Sequence, residues 1–414
     1  MTTTASSAAA PSLPADPFTA VTGDRHAVYA TLAAMGPVHR FTTPTGSPAW
    51  LVTGHDEIRS ALTDRRVRKG PPIHGALAAS LPPEAVGMQQ HLLYQNPPDH
   101  TRLRRLVLAA FTRGRMDALA PRIERIAAEL LDAIEGREQV DLIATFAYPL
   151  PMTVICELLG IPETARPDFR RWTTVAIAGP FAGAENYVAS VTAMVGYIRE
   201  LLEAKRSDPA EDLLSALVAV RDGGDRLSTD ELIGMAFLLV AAGHETTVNL
   251  IGNGTLALLS SPEQLALLRA EPQRLPAAVE EMLRFDGPLQ VTLPYVTTEP
   301  IELGGQSIPA DAVLFLGLLA ANRDPARVPD PDVFDIAREP APHLAFGHGV
   351  HHCLGAYLAR LEGRIAFRAL LERFPGLRLG VPVTELTWLP MLLMNGLTAL
   401  PVDLTPPTEP PGDL

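Results

Sequence analysis

Cysteine is nearly absent from this chain: Cys156 and Cys353 are the only two among 414 residues. Two cysteines cannot build a disulfide framework, and such usage fits a reducing, cytoplasmic setting. Positive charge is in deficit. Thirty-four Lys and Arg stand against 47 Asp and Glu, a formal net charge of −13, which argues against general nucleic-acid binding. No uninterrupted apolar run approaches the roughly 18 residues of a membrane span, so no membrane anchor is expected. The N-terminus, Met1-Thr-Thr-Thr-Ala-Ser-Ser7, lacks the basic region and apolar core of a signal peptide. Hydrophobic side chains are plentiful: at 47% of residues they mark a globular chain rather than a disordered one.

Residues 1–16, rich in Ala, Ser, Thr and Pro, and 405–414, rich in Pro, read as loose tails. No repeat or linker divides 17–404, which reads as one domain. Strand-like pieces occur between 37 and 54, as at Ala49-Trp50-Leu51-Val52, and again at 291–303 and 385–403. From about residue 100 helical periodicity dominates; Leu119, Ile123, Ile126, Leu130 and Ile134 share one face. The capping-box pattern Ser228-Thr-Asp-Glu231 opens an apolar stretch that runs to Leu259. At 1.5 Å per residue that helix would span roughly 48 Å and cross the interior. The fold class expected is mainly α with small peripheral β-sheets and a long central helix.

Chemistry concentrates at 346–355, Phe-Gly-His-Gly-Val-His-His-Cys-Leu-Gly. Gly347, Gly349 and Gly355 permit tight turns and close approach to a flat ligand. Cys353 precedes a helix-patterned stretch, whose N-terminal N–H groups favour a thiolate able to ligate iron. Phe346 is placed to shield it. Inside the long helix, Ala242-Gly243-His244-Glu245-Thr246-Thr247 interrupts the apolar run. That interruption reads either as a helix emerging into solvent or as a local opening with a proton-donating pair. Glu281 and Arg284, at i and i+3, share a helix face. His100 and Arg104, at i and i+4 after Pro97-Pro98, do the same. The cluster His343, His348, His351, His352 and Cys353 also invites a zinc reading. Only one cysteine lies there, and zinc explains none of the other motifs.

Phe346–Gly355 followed by Ala356 resembles the heme-binding signature of the cytochrome P450 superfamily in its soluble bacterial form. Three further motifs follow the family's order. The resemblance therefore implies heme b (iron protoporphyrin IX) with Cys353 as axial ligand, and O2 as co-substrate. Ala242 and Gly243 would leave room for dioxygen, Thr246 would steady it and Glu245 would relay protons. It implies a structural network of Glu281, Arg284 and Arg338, and propionate contacts from His100, Arg104 and His351. Phe346, Gly347 and Gly355 would border the heme. Where many relatives carry a propionate-binding arginine this chain has Tyr295, which can hydrogen-bond a carboxylate but not neutralise it. Tyr295→Arg is expected to raise the heme potential without changing the fold.

The resemblance places the substrate pocket at the segment after Lys69 (Ile73, Leu77, Leu81, Met88, Leu92, Leu93), at 172–181 with Trp172, at Leu238, at 289–294 with Leu289 and Val291, and at 391–394 with Leu393 and Met394. These apolar walls suit a bulky, mostly apolar small molecule, and the family branch implied is actinobacterial, tailoring macrolides and polyketides. The chain carries no flavin or iron–sulfur motif, so electrons would come from NAD(P)H through a ferredoxin reductase and a ferredoxin. That ferredoxin would dock on a basic face holding Arg102, Arg104, Arg105, Arg113, Arg115, Arg360 and Arg364. A monomer is expected. Two alternatives remain: the same heme catalysing oxidative coupling or desaturation, and a non-catalytic heme-thiolate sensor.

Overall fold

The computed structural model describes residues 24–43, 46–70, 86–178, 183–221, 224–339 and 341–405. Residues 1–16, 406–414, Ile73, Leu77, Leu81 and Phe181 lie outside them. The architecture is helical with three small sheets. The central helix runs Thr229–Leu259, 31 residues, and both capping-box bonds form. The Glu231 N–H donates to Ser228 Oγ at 3.2 Å and the Ser228 N–H to Glu231 Oε2 at 2.7 Å. Every residue from Thr247 to Leu258 is buried. Its length and apolarity would let it cross a membrane, but here its neighbours are other helices, Pro149–Leu158, Leu275–Asp286 and Ala356–Arg373. Approach is closest at Gly254, where an added Cβ would lie 2.5 Å from Phe367 Cζ and 2.7 Å from Met282 Sδ.

The interruption at 242–247 does not unwind the helix, and the threonine side chains return to its own backbone. Thr246 Oγ1 donates to Ala242 O at 2.8 Å and Thr247 Oγ1 to Gly243 O at 3.4 Å. At Gly243 a Cβ would stand 3.2 Å from Ile155 Cδ1, so the two helices meet closely there. In the helix Ala120–Asp132, Ile123, Ile126 and Leu131 are buried, whereas Leu130 is only half-buried.

Among the described residues ten strands, numbered in chain order, form sheets of five, three and two strands. Four of them matter for the site: β2 (Pro48–Val52), β3 (Val67–Lys69), β5 (Tyr295–Thr297) and β8 (Val313–Leu316), within the order β1-β2-β8-β5-β3, with β1 at Val38–Thr42. β3 and β5 are antiparallel, with Lys69 opposite Tyr295. Asn96 ties this edge to the helix Asp99–Ala110. Its Oδ1 accepts from the Lys69 N–H at 2.9 Å, and its Nδ2 donates to the Lys69 carbonyl at 3.2 Å.

Candidate active site

The loop before Cys353 is built from backbone turns. The Gly347 N–H donates to Leu344 O at 2.8 Å, and the Cys353 N–H to Phe346 O at 2.9 Å. Gly347 and Gly349 take φ of +69° and +67°, the left-handed region that L side chains avoid. At Gly349 a Cβ would also lie 2.6 Å from Leu62 O. Gly355 has an ordinary φ of −84° as N-cap of Ala356–Arg373, and a Cβ there would meet nothing within 4 Å.

Cys353 faces a cavity with about 1710 Å³ of empty space, part of it open to solvent. Phe346, Gly347 and Gly355 line it beside Cys353, and Ala242, Gly243 and Thr246 contribute the central helix. Leu92, Leu93, Leu238, Leu289, Leu393 and Met394 form apolar wall. Although Cys353 is exposed to this cavity, burial by the surrounding protein pushes its thiol pKa up. The N–H groups of Gly355 and Ala356, with Arg104 and Arg360, pull the other way and lose. The helix N-terminus thus helps a thiolate without generating one, and a coordinated metal would complete the deprotonation.

The polar part of the cavity is cationic. Lys69, His100, Arg104 and His351 line it together with Tyr295. The His100 and His351 rings lie 4.4 Å apart, and Tyr295 meets His351 edge-on at 6.2 Å. His100 is buried with neither ring nitrogen hydrogen-bonded, at a cost of about 1–3 kcal/mol for each unsatisfied polar group. Burial, then Arg104 and Lys69, push the His100 pKa down to about 4. Burial, then Lys69, His100 and Arg104, push His351 down to about 3. Unpaired imidazole nitrogens, kept neutral by burial and by the neighbouring Lys69 and Arg104, mark a corner that an anion would complete. The two carboxylates of a heme would supply that charge and Cys353 would give its iron a sulfur ligand, so the residues fit this group.

The cytochrome P450 family model matches residues 184–393. Cytochrome P450 107B1 of Saccharopolyspora erythraea is 48% identical over 92% of this chain and 95% of its own. The chain belongs to the cytochrome P450 family. The 6-deoxyerythronolide B hydroxylase of the same organism is 44% identical over 92% of this chain and 96% of its own. The solved structure of the tirandamycin C-bound P450 monooxygenase TamI superposes with a TM-score of 0.84 at 43% identity, covering 94% of this chain and 98% of that one.

The P450 cavity excludes some residues expected in it. Trp172 packs in the core, 5.5 Å from Phe169 and 6.1 Å from Tyr197, because its helix turns that face toward the helix Ala184–Ser207. Val291 is buried among Tyr29, Phe41 and Leu51. The segment 287–294 bends instead of extending, so side chains do not alternate. The bend is clamped by Gln290, whose Nε2 donates to Met391 O and Met394 O, both at 3.1 Å. Met88 belongs to the core. Glu245 does not line the cavity; its electrostatic neighbours are Tyr148 and His244.

Glu281 and Arg284 form a bidentate pair, 2.7 Å at both contacts. Arg338 Nε joins Glu281 Oε1 at 3.4 Å, and the Asp335 N–H donates to the same oxygen at 3.0 Å. Arg284 also donates to the carbonyls of Asn322, Pro331 and Val333. The segment leading to Cys353 is thereby fastened to the Glu281 helix. His343 Nε2 contacts Glu280 at 3.1 Å, and no metal-holding group of His, Cys, Asp or Glu occurs among the described residues. Two charged cavity residues, Lys69 and Glu362, escaped the sequence reading. Lys69 carried the one available signal, that lysine is so rare here. Glu362 gave none beyond lying on a helix.

Proposed function

We propose that this heme-dependent oxidoreductase inserts oxygen into a bulky, mostly apolar small molecule of the macrolide or polyketide kind, by hydroxylation or epoxidation. Its electrons would come from NAD(P)H through a ferredoxin reductase and a ferredoxin. The observation that carries the reading is one cavity with Cys353, a cationic rim and an apolar wall. Relatives named for 6-deoxyerythronolide B hydroxylation and bound to tirandamycin C support the substrate class.

When bound, heme supplies dioxygen activation, with a cysteine thiolate pushing electron density toward the iron. The chain's own groups do the rest. Cys353 would ligate the iron, and His100, Arg104 and His351 would hold the carboxylates by charge-assisted hydrogen bonds. Thr246 lines the cavity and already donates to Ala242 O at 2.8 Å, so its oxygen would act as acceptor of a hydrogen bond from a proton donor. Glu245, one position away and outside the cavity, would pass protons to it from the Tyr148 side. Leu238, Leu289, Leu393 and Met394 orient the apolar substrate and exclude water.

Several arginines of the expected docking face are committed internally. Arg102 pairs with Asp225 and Glu231, and Arg360 binds Glu280 at 2.6 and 2.7 Å. Ferredoxin contact would rest on the remaining basic residues of that face, such as Arg364, with a salt-sensitive encounter rate.

The test is the reduced, carbon-monoxide difference spectrum. A strongly red-shifted Soret band that disappears in Cys353→Ser is expected, followed by product carrying one added oxygen in a ferredoxin-driven screen. Absence of heme absorbance in protein made with ample heme would overturn the reading. A coupled or desaturated product without added oxygen would replace oxygen insertion by the alternative chemistry.

A further inference from the structure

Lysine is the scarcest charged residue in the chain: of 34 basic side chains only Lys69 and Lys205 are lysines. Lys205 pairs with Asp212. Lys69 is 8% exposed, lines the cavity, and has no ion-pair partner among the described residues. Its ammonium sits 3.9 Å over the centre of the Tyr295 ring. The Arg104 guanidinium and the His100 and His351 imidazoles line the same corner, and burial pushes the Lys69 pKa down to about 7. A buried ammonium beside another cation is costly unless an anion joins it.

Strand register explains how it came there. Lys69 and Tyr295 are directly opposed on β3 and β5. Opposed residues of an antiparallel pair project on one face with Cβ atoms about 4.5–5.5 Å apart. A cation on either strand can therefore reach the same point. We propose that Lys69 is the cation for the heme carboxylate that position 295 leaves without an arginine, the charge having moved from one strand to its partner. This rests on the heme-thiolate reading above. The Tyr295 ring becomes the platform that holds the ammonium by cation–π attraction. Asn96, gripping the Lys69 backbone on both sides, fixes Lys69 to the helix that carries His100 and Arg104. The expectation that Tyr295 leaves a carboxylate uncompensated is thereby revised, and Tyr295→Arg alone would only add a second cation beside Lys69.

A neighbouring cation offsets propionate charge, which otherwise favours the ferric state. Lys69→Met should therefore lower the heme midpoint potential and speed heme transfer to an apomyoglobin acceptor by about tenfold or more, the loss of one hydrogen bond to a charged group. Lys69→Arg should keep both values near those of the parent. Lys69→Met combined with Tyr295→Arg should restore both, including heme retention if Lys69→Met alone holds no heme. All measurements are made without substrate, so a substrate carboxylate cannot be the anion detected. A normal red-shifted carbon-monoxide band with unmoved potential and heme-loss rate in Lys69→Met would overturn the proposal alone, as would failure of the double variant to recover. A parent protein lacking that band would overturn the heme-thiolate reading itself.

Discussion

Glu362 lies on the helix Ala356–Arg373, 2% exposed, with Oε2 lacking any hydrogen-bond partner. Burial alone raises its pKa from 4.5 to about 8. The folded protein then holds a proton that the unfolded chain releases near pH 4.5. Stability is undiminished by this group below that pH and falls as pH rises toward 8, by about 1.4 kcal/mol per unit. At pH 7 the carboxyl therefore subtracts about 3 kcal/mol, a large share of the roughly 5–15 kcal/mol that holds a domain together. Glu362→Gln removes the titration and keeps the shape. Denaturant midpoints of the heme-loaded parent and variant, taken at several pH values, give the comparison. The two should nearly coincide at pH 5, and the variant should be more stable by about 3 kcal/mol at pH 7. A difference independent of pH would refute the reasoning, because it would mean that Glu362 does not change protonation on folding.

Glu281→Ala leaves Arg284, 1% exposed, as an uncompensated buried cation; the expected loss is about 3–5 kcal/mol, read as a lower denaturant midpoint. Gly254→Ala forces a methyl against Phe367 and Met282; a loss of about 1–3 kcal/mol from overpacking should outweigh the helix propensity gained, and a raised melting temperature would contradict it. Trp172→Ala should cost about 3–5 kcal/mol of stability while substrate affinity, followed by spin-state titration, stays near the parent's. Leu93→Trp should do the reverse, weakening binding of a bulky substrate with little change in the denaturant midpoint.

Local chemistry made much of this protein legible in one dimension. The capping box at Ser228–Glu231 and the unbroken apolar run behind it specify the central helix, because those bonds join residues three apart. The glycines around Cys353 announce a turn for the same reason: left-handed φ is a property of single residues. The strand-like pieces between 37 and 54 likewise became β1 and β2. Sequence could not say that Trp172 turns toward Tyr197 or that Val291 enters the core, since helix rotation and a bent segment are set by distant neighbours. Nor could it say that Gly243 lies against Ile155, or that Arg102 and Arg360 are spent on acids far along the chain. Lys69 and Tyr295 are 226 residues apart, and only the register of β3 on β5 sets them face to face. Motifs fixed the ligand chemistry; long-range pairing and burial decided which charges remain free to meet it.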